Sequence, residues 1–278
     1  MIYIQVLNID RWGLATCIPP VLLGEDGYLP KHQTSLECLT LITFATCRAH
    51  FEGYSRLDLS RFRNLQSFTW KGLLAEQDIP TLRDCIQANA SQLEDLSVDL
   101  VDELFENSWE DERDGASLIK HLAGIRNGQI KPALPRLKTL ALESVRLNGE
   151  IQPLIHGLNI TGLRSLKLWN CSYSAEFLKE IGESNVDLHI SSFELVGDCD
   201  VRGLFSDSDT LPRFLGKLKF IRELYLLVPA GASDLITESI LEHKSTLTRF
   251  VFHERIMDDD DDSPRYGEGC DSHLIWNE

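Results

Sequence analysis

The sequence predicts an α/β solenoid, a stack of short units that each pair one strand with a return segment. Three observations carry that reading. An apolar pattern recurs through most of the chain, its spacing is nearly constant, and the stretches between recurrences hold apolar residues at helical intervals. The clearest copy is Leu163-Arg164-Ser165-Leu166-Lys167-Leu168-Trp169-Asn170-Cys171. It reads L-x-x-L-x-L-x-x-C, the strand-and-turn signature of a leucine-rich repeat.

The same three slots are filled by Leu36/Leu39/Leu41, Leu65/Phe68/Trp70, Leu93/Leu96/Val98, Leu137/Leu140/Leu142, Ile190/Phe193/Leu195, Ile221/Leu224/Leu226 and Leu247/Phe250/Phe252. The first slots are 29, 28, 44, 26, 27, 31 and 26 residues apart. One strand and one helix cannot hide their apolar faces alone. Stacking gives each slot a neighbour on either side, so about eight repeats merge into one core. The second and third slots lie two apart and share one strand face, because side chains alternate along a strand. The expected form is a horseshoe with a parallel concave sheet and convex helices. The residues between the slots then point onto the concave surface.

Residues 1–35 are the least regular. Ile2, Ile4 and Val6 alternate as in a strand, and Ile18-Pro19-Pro20 and the segment from Gly24 to Pro30 break anything longer. This stretch reads as an N-terminal cap, or as the remnant of an upstream domain. The repeats fill residues 36–256. In the first, Arg56-Leu57-Asp58-Leu59-Ser60 is a short extended return. In the second, Asp78 caps a helix with Pro80 in its first turn, and Ile79, Leu82, Cys85 and Ile86 make one stripe. The third is overlong because of an acidic insertion at about 102–114. Insertions of this kind leave a solenoid intact as loops. Leu118, Ile119, Leu122 and Ile125 then share a helix face. The fourth and fifth carry Ile151/Leu154/Ile155/Leu158 and Phe177/Leu178/Ile181. The sixth return, Gly197 to Thr210, is too polar for a helix. The seventh has Leu235, Ile236, Ile240 and Leu241 on a helix capped by Ser233. Residues 257–278 form an acidic Ser- and Gly-containing tail, predicted to be disordered.

The formal charge of −16 is mostly local. Residues 102–114 hold seven acids and Arg113, and residues 258–278 hold eight acids and Arg265. The remaining body is nearly neutral. No basic footprint for nucleic acid exists. No apolar run is long enough to cross a membrane, and the N-terminal stretch lacks the basic opening and apolar run of a signal peptide. The seven cysteines are odd in number and scattered, which fits free thiols in a reducing compartment. The expected location is intracellular, cytoplasmic or nuclear. Asp258–Asp262 lacks the spacing of a calcium loop. Nucleophile-elbow, zinc-protease and phosphate-loop motifs are absent, and the eight histidines show no ligand spacing. The reading is a non-enzyme without a metal or cofactor.

Protein binding is what the outward strand positions offer. Aromatic and Arg residues, which dominate interface hot spots, gather in the C-terminal half. The predicted binding patch on the concave face is Lys167, Trp169, Glu194, Tyr225, Arg249 and His253.

The L-x-x-L-x-L-x-x-C form at Leu163–Cys171 resembles the cysteine-containing repeats of F-box proteins. Three further stretches give a likeness to the repeat region of fungal F-box-type leucine-rich repeat proteins over about residues 36–265. They are Asp58-Leu59-Ser60 through Phe68-Thr69-Trp70, Ala90-Ser91-Gln92-Leu93, and Leu247 through His253 running into the acidic Ser-Pro tail. In that family an F-box binds a Skp1-like adaptor in a cullin ubiquitin ligase, and the repeats hold the substrate. No F-box is read in residues 1–35. The resemblance therefore implies the substrate-recognition half, with a stand-alone repeat scaffold or regulator as the alternative.

Overall fold

Strands form where the apolar beat places them. The structure is a computed structural model. It describes residues 4–9, 18–43, 57–73, 75–100, 115–125, 132–147, 149, 151–197, 210–229 and 233–255. Both the acidic insertion at 102–114 and the tail at 257–278 lie outside the described residues. The strands are β1 (Val6–Ile9), β2 (Cys38–Ile42), β3 (Ser67–Leu73), β4 (Asp95–Leu100), β5 (Thr139–Glu143), β6 (Ser165–Trp169), β7 (Ser192–Val196), β8 (Glu223–Pro229) and β9 (Arg249–Arg255). They make one nine-stranded sheet in sequence order, and every neighbouring pair is parallel. Each link between strands is long enough to carry a return segment, as parallel pairing requires. The result is a solenoid-like α/β fold.

The second and third slots line up across the sheet. From Leu39 and Leu41 on β2 to Leu224 and Leu226 on β8, no slot residue is more than 5% exposed. Each such side chain contributes roughly 1.5–3 kcal/mol by leaving water. The stack is less complete at its end. Phe250 and Phe252 on β9, and Leu247 before it, are only partly buried, because no described strand follows them.

The helices are α1 (Pro20–Leu23), α2 (Tyr28–His32), α3 (Ala75–Asn89), α4 (Gly115–Ala123), α5 (Gln152–Gly157), α6 (Ser174–Glu183), α7 (Thr210–Gly216) and α8 (Ser233–Leu241). Their apolar stripes join the slot residues in one core, through Ile79, Leu82, Cys85 and Ile86 of α3, Ile119 and Leu122 of α4, and Phe177, Leu178 and Ile181 of α6.

Several boundaries differ from the sequence reading. In the N-terminal stretch, read as a cap or a remnant, β1 pairs in register with β2, Val6 opposite Cys38. α3 starts at Ala75, so Asp78 is not its cap, and Pro80 lies inside the helix. Pro80 is the sixth residue of the helix, so the N–H it lacks would have bonded the Glu76 carbonyl, and the helix forgoes that bond. Of the polar sixth return, Gly197 to Thr210, the residues 198–209 lie outside the described residues, and α7 begins at its last residue, Thr210. α8 begins at Ser233 rather than after it. Its Leu241 is 57% exposed, at the same unfinished end as Phe250.

Polar side chains tie neighbouring units together. Asn89, 1% exposed at the end of α3, accepts the Leu65 N–H at 2.9 Å and donates to the Phe62 carbonyl at 2.7 Å. Asn159 donates to the Pro135 carbonyl at 2.9 Å, and buried His243 bonds the Leu215 carbonyl at 3.0 Å through Nε2. These satisfy backbone groups that the strand ladder cannot reach. Cys171, just after β6, donates its thiol to the carbonyl of Leu142 on β5 at 3.3 Å. Burial pushes that thiol up to about 12 and pushes the Cys85 thiol up strongly. Cys38, by contrast, sits half-buried on the opposite sheet face.

Candidate functional site

The face of the sheet opposite the core is open, and the parallel register sorts it into rows. One row runs Ser67, Asp95, Thr139, Ser165, Ser192, Glu223, Arg249. The next runs Thr69, Ser97, Ala141, Lys167, Glu194, Tyr225, Val251. The third runs Asp99, Glu143, Trp169, Val196, Leu227, His253. Lys71 belongs beside Asp99, but the register slips between Trp70 and Leu73. Gly72 there has φ +73°, and a Cβ on it would meet the Thr43 carbonyl oxygen at 2.2 Å. Only glycine fits that close approach at that φ. A slip of this kind bends a strand and re-aims its side chains.

Lys71 reaches across the sheet. Its Nζ pairs with Glu143 Oε2 at 3.1 Å and lies 5.1 Å from the centre of the Trp169 ring. Lys167 Nζ pairs with Glu194 Oε1 at 2.5 Å and lies 5.9 Å from the same ring. The indole thus attracts two ammonium groups through its electron-rich face. Its own Nε1 is buried and has no hydrogen-bond acceptor among the described residues. Leaving a buried donor unmatched costs about 1–3 kcal/mol.

Acids outnumber bases here. Asp99 accepts the Gly72 N–H at 3.2 Å. Burial, and then the charge of Glu143, push its carboxyl above the ordinary range, against the opposing pull of that hydrogen bond and of Lys71. Between β3 and β6 the face dips into a hollow of about 300 Å³ lined by Thr69, Lys71, Asp95, Ser97, Thr139, Ala141, Glu143, Lys167 and Trp169. The small Ala141 makes the dip and Trp169 makes one wall.

Of the six residues read from the sequence, the structure brings Lys167, Trp169 and Glu194 together. Tyr225, 39% exposed, follows Glu194 in the same row. Arg249 is at the edge, pairing with Glu223 at 3.2 Å, and His253 lies opposite Leu227. Sequence reasoning missed Lys71 and Glu143 as partners of Trp169. Both were legible as outward-facing, but their reach depends on the slip at Gly72. The site offers ion pairs, hydroxyls and an aromatic face. Among the described residues no three His, Cys, Asp or Glu side chains gather as a metal site would need, and no helix is long and apolar enough to cross a membrane.

No known family model matches the chain, and no curated protein matches it significantly.

Proposed function

We propose that this chain is a non-catalytic protein-binding module of the leucine-rich repeat type, which holds its partner on the concave face around Trp169. The observation that carries the reading is Trp169 itself. It is a large, half-buried aromatic on the open face, with two lysines over its ring and an N–H that finds no acceptor among the described residues. Aromatic anchors of this kind supply most of the energy of protein interfaces. By resemblance, the partner is the substrate of a cullin ubiquitin ligase of the F-box kind.

A stand-alone scaffold or regulator is the second reading, favoured by one observation. The segment at Val6–Ile9 pairs as a strand of the same sheet, so it extends the stack rather than forming a separate adaptor-binding unit.

The test is affinity capture from native lysate with the full chain and with a Trp169→Ala, Tyr225→Ala double variant, read by mass spectrometry. The expected result is a protein retained by the parent and lost from the variant, while the circular dichroism of the two agrees. Equal capture by both refutes binding at this face. Co-recovery of an adaptor and a cullin supports the ligase reading, and a face-dependent partner without them supports the scaffold.

A further inference from the structure

The charge around Trp169 selects the chemistry of the partner. Two carboxylates, Asp95 and Glu143, line the hollow with two ammonium groups, Lys71 and Lys167, and two more, Asp99 and Glu194, lie next to it on the same face. Each ammonium is committed to one carboxylate, Lys71 to Glu143 and Lys167 to Glu194. Asp95 has no ion-pair partner among the described residues, and Asp99 has only the Gly72 N–H and the more distant charge of Lys71. The surplus is therefore two negative charges beside a hollow with an aromatic wall.

Building on the protein-binding reading above, we propose that this hollow seats a basic side chain, arginine by preference, from an extended peptide segment of the partner. A cation entering here meets the uncompensated Asp95 on one side and the indole on the other, with Asp99 close by outside the lining. An incoming anion would meet the same surplus as repulsion. Arginine fits better than lysine because its planar guanidinium stacks on an aromatic ring and bonds a carboxylate through two N–H groups at once. Asp95 opens onto the hollow and is free to accept it, and Ser97 and Thr139 supply neutral hydrogen bonds alongside. Lys71 and Lys167 hold the place of the cation in the free protein.

The experiment is selection of displayed random twelve-residue peptides on the immobilised full chain, with Trp169→Ala as the counter-selecting surface. Both surfaces keep the acidic segments at 102–114 and 258–278, so nonspecific attraction of basic peptides cancels. The expected result is a set of peptides lost on the variant and enriched in Arg or Lys at one position. A selected peptide then binds an Asp95→Asn, Asp99→Asn double variant about tenfold more weakly, with its shape and fold retained. Site-dependent peptides enriched in Asp or Glu, or unchanged affinity in the double variant, overturn the basic-segment proposal and leave protein binding standing. Absence of any peptide that distinguishes the two surfaces overturns both.

Discussion

Trp70 and Trp169 occupy adjacent kinds of position on similar strands, yet their surroundings have little in common. Trp70 fills a covered slot of β3 and is fully buried. Its Nε1 donates to Thr43 Oγ1 at 3.0 Å, and that hydroxyl in turn donates to the Gly72 carbonyl at 2.7 Å. Phe68 meets its ring edge-on, 6.3 Å between centroids. Trp169 faces the other way on β6, half-buried, under two lysines, with its N–H unmatched. Trp70 is complete in packing and in hydrogen bonds, although Ser35 Oγ, just before the covered Leu36, is also buried without a partner among the described residues. The open face keeps an unmet donor and surplus charge at one place. Stability does not explain the surplus charge, whereas a partner that brings a cation would.

Truncation should separate the two tryptophans most. Trp70→Ala empties a closed site and is expected to cost about 3–5 kcal/mol in urea unfolding. Trp169→Ala, on the open face, is expected to cost about 1 kcal/mol or less. Similar losses at both would mean that Trp169 is a core residue and the contrast is void. Replacement by phenylalanine sharpens the contrast by keeping a ring and removing only the N–H and some area. Trp70→Phe breaks a made hydrogen bond and leaves a gap, for a loss of about 1–3 kcal/mol. Trp169→Phe removes an unmatched donor, so the midpoint should hold or rise by up to about 1 kcal/mol. A clear loss at Trp169 would show that its N–H has an acceptor in solution.

The covered face was legible in the sequence because burial is decided within each strand. Leu166 and Leu168, or Phe193 and Leu195, announce their side of the sheet by their spacing alone. What was missed depends on neighbours. β1 carries no full copy of the pattern, and only its register with β2 shows that it belongs to the sheet. Leu241 and Phe250 sit in the right slots but at an end where no described strand covers them. On the open face the outward direction of Lys71, Glu143 and Trp169 could be read, but their meeting could not. It rests on the slip at Gly72 and on the reach of a lysine side chain across intervening strands. Asn89 looked like one polar residue among many near a helix end. Its role, bonding the Leu65 N–H of the preceding unit, is fixed only by stacking.

Asp99 allows the smallest and most discriminating test of the same contrast. Its carboxyl is raised above the ordinary range by burial first and by Glu143 second. The folded chain therefore holds that proton more tightly than the unfolded chain does. Stability drawn from the protonated form is fully present below the unfolded value of about 4 and is lost as pH rises through the folded value. At neutral pH the ionised Asp99 is a net burden on the free protein. Asp99→Asn keeps an oxygen to accept the Gly72 N–H and removes the charge. The variant is expected to have a higher urea midpoint than the parent at pH 7, with the difference shrinking as the pH is lowered to about 3.5. A lower midpoint at pH 7 would mean that attraction to Lys71 outweighs burial, and the surplus of negative charge would not exist. If the surplus is real, the same substitution that steadies the free chain should weaken its hold on a basic peptide. Opposite signs for stability and binding at one carboxylate are what a site built for a partner produces, and a purely structural ion-pair network gives no reason for them.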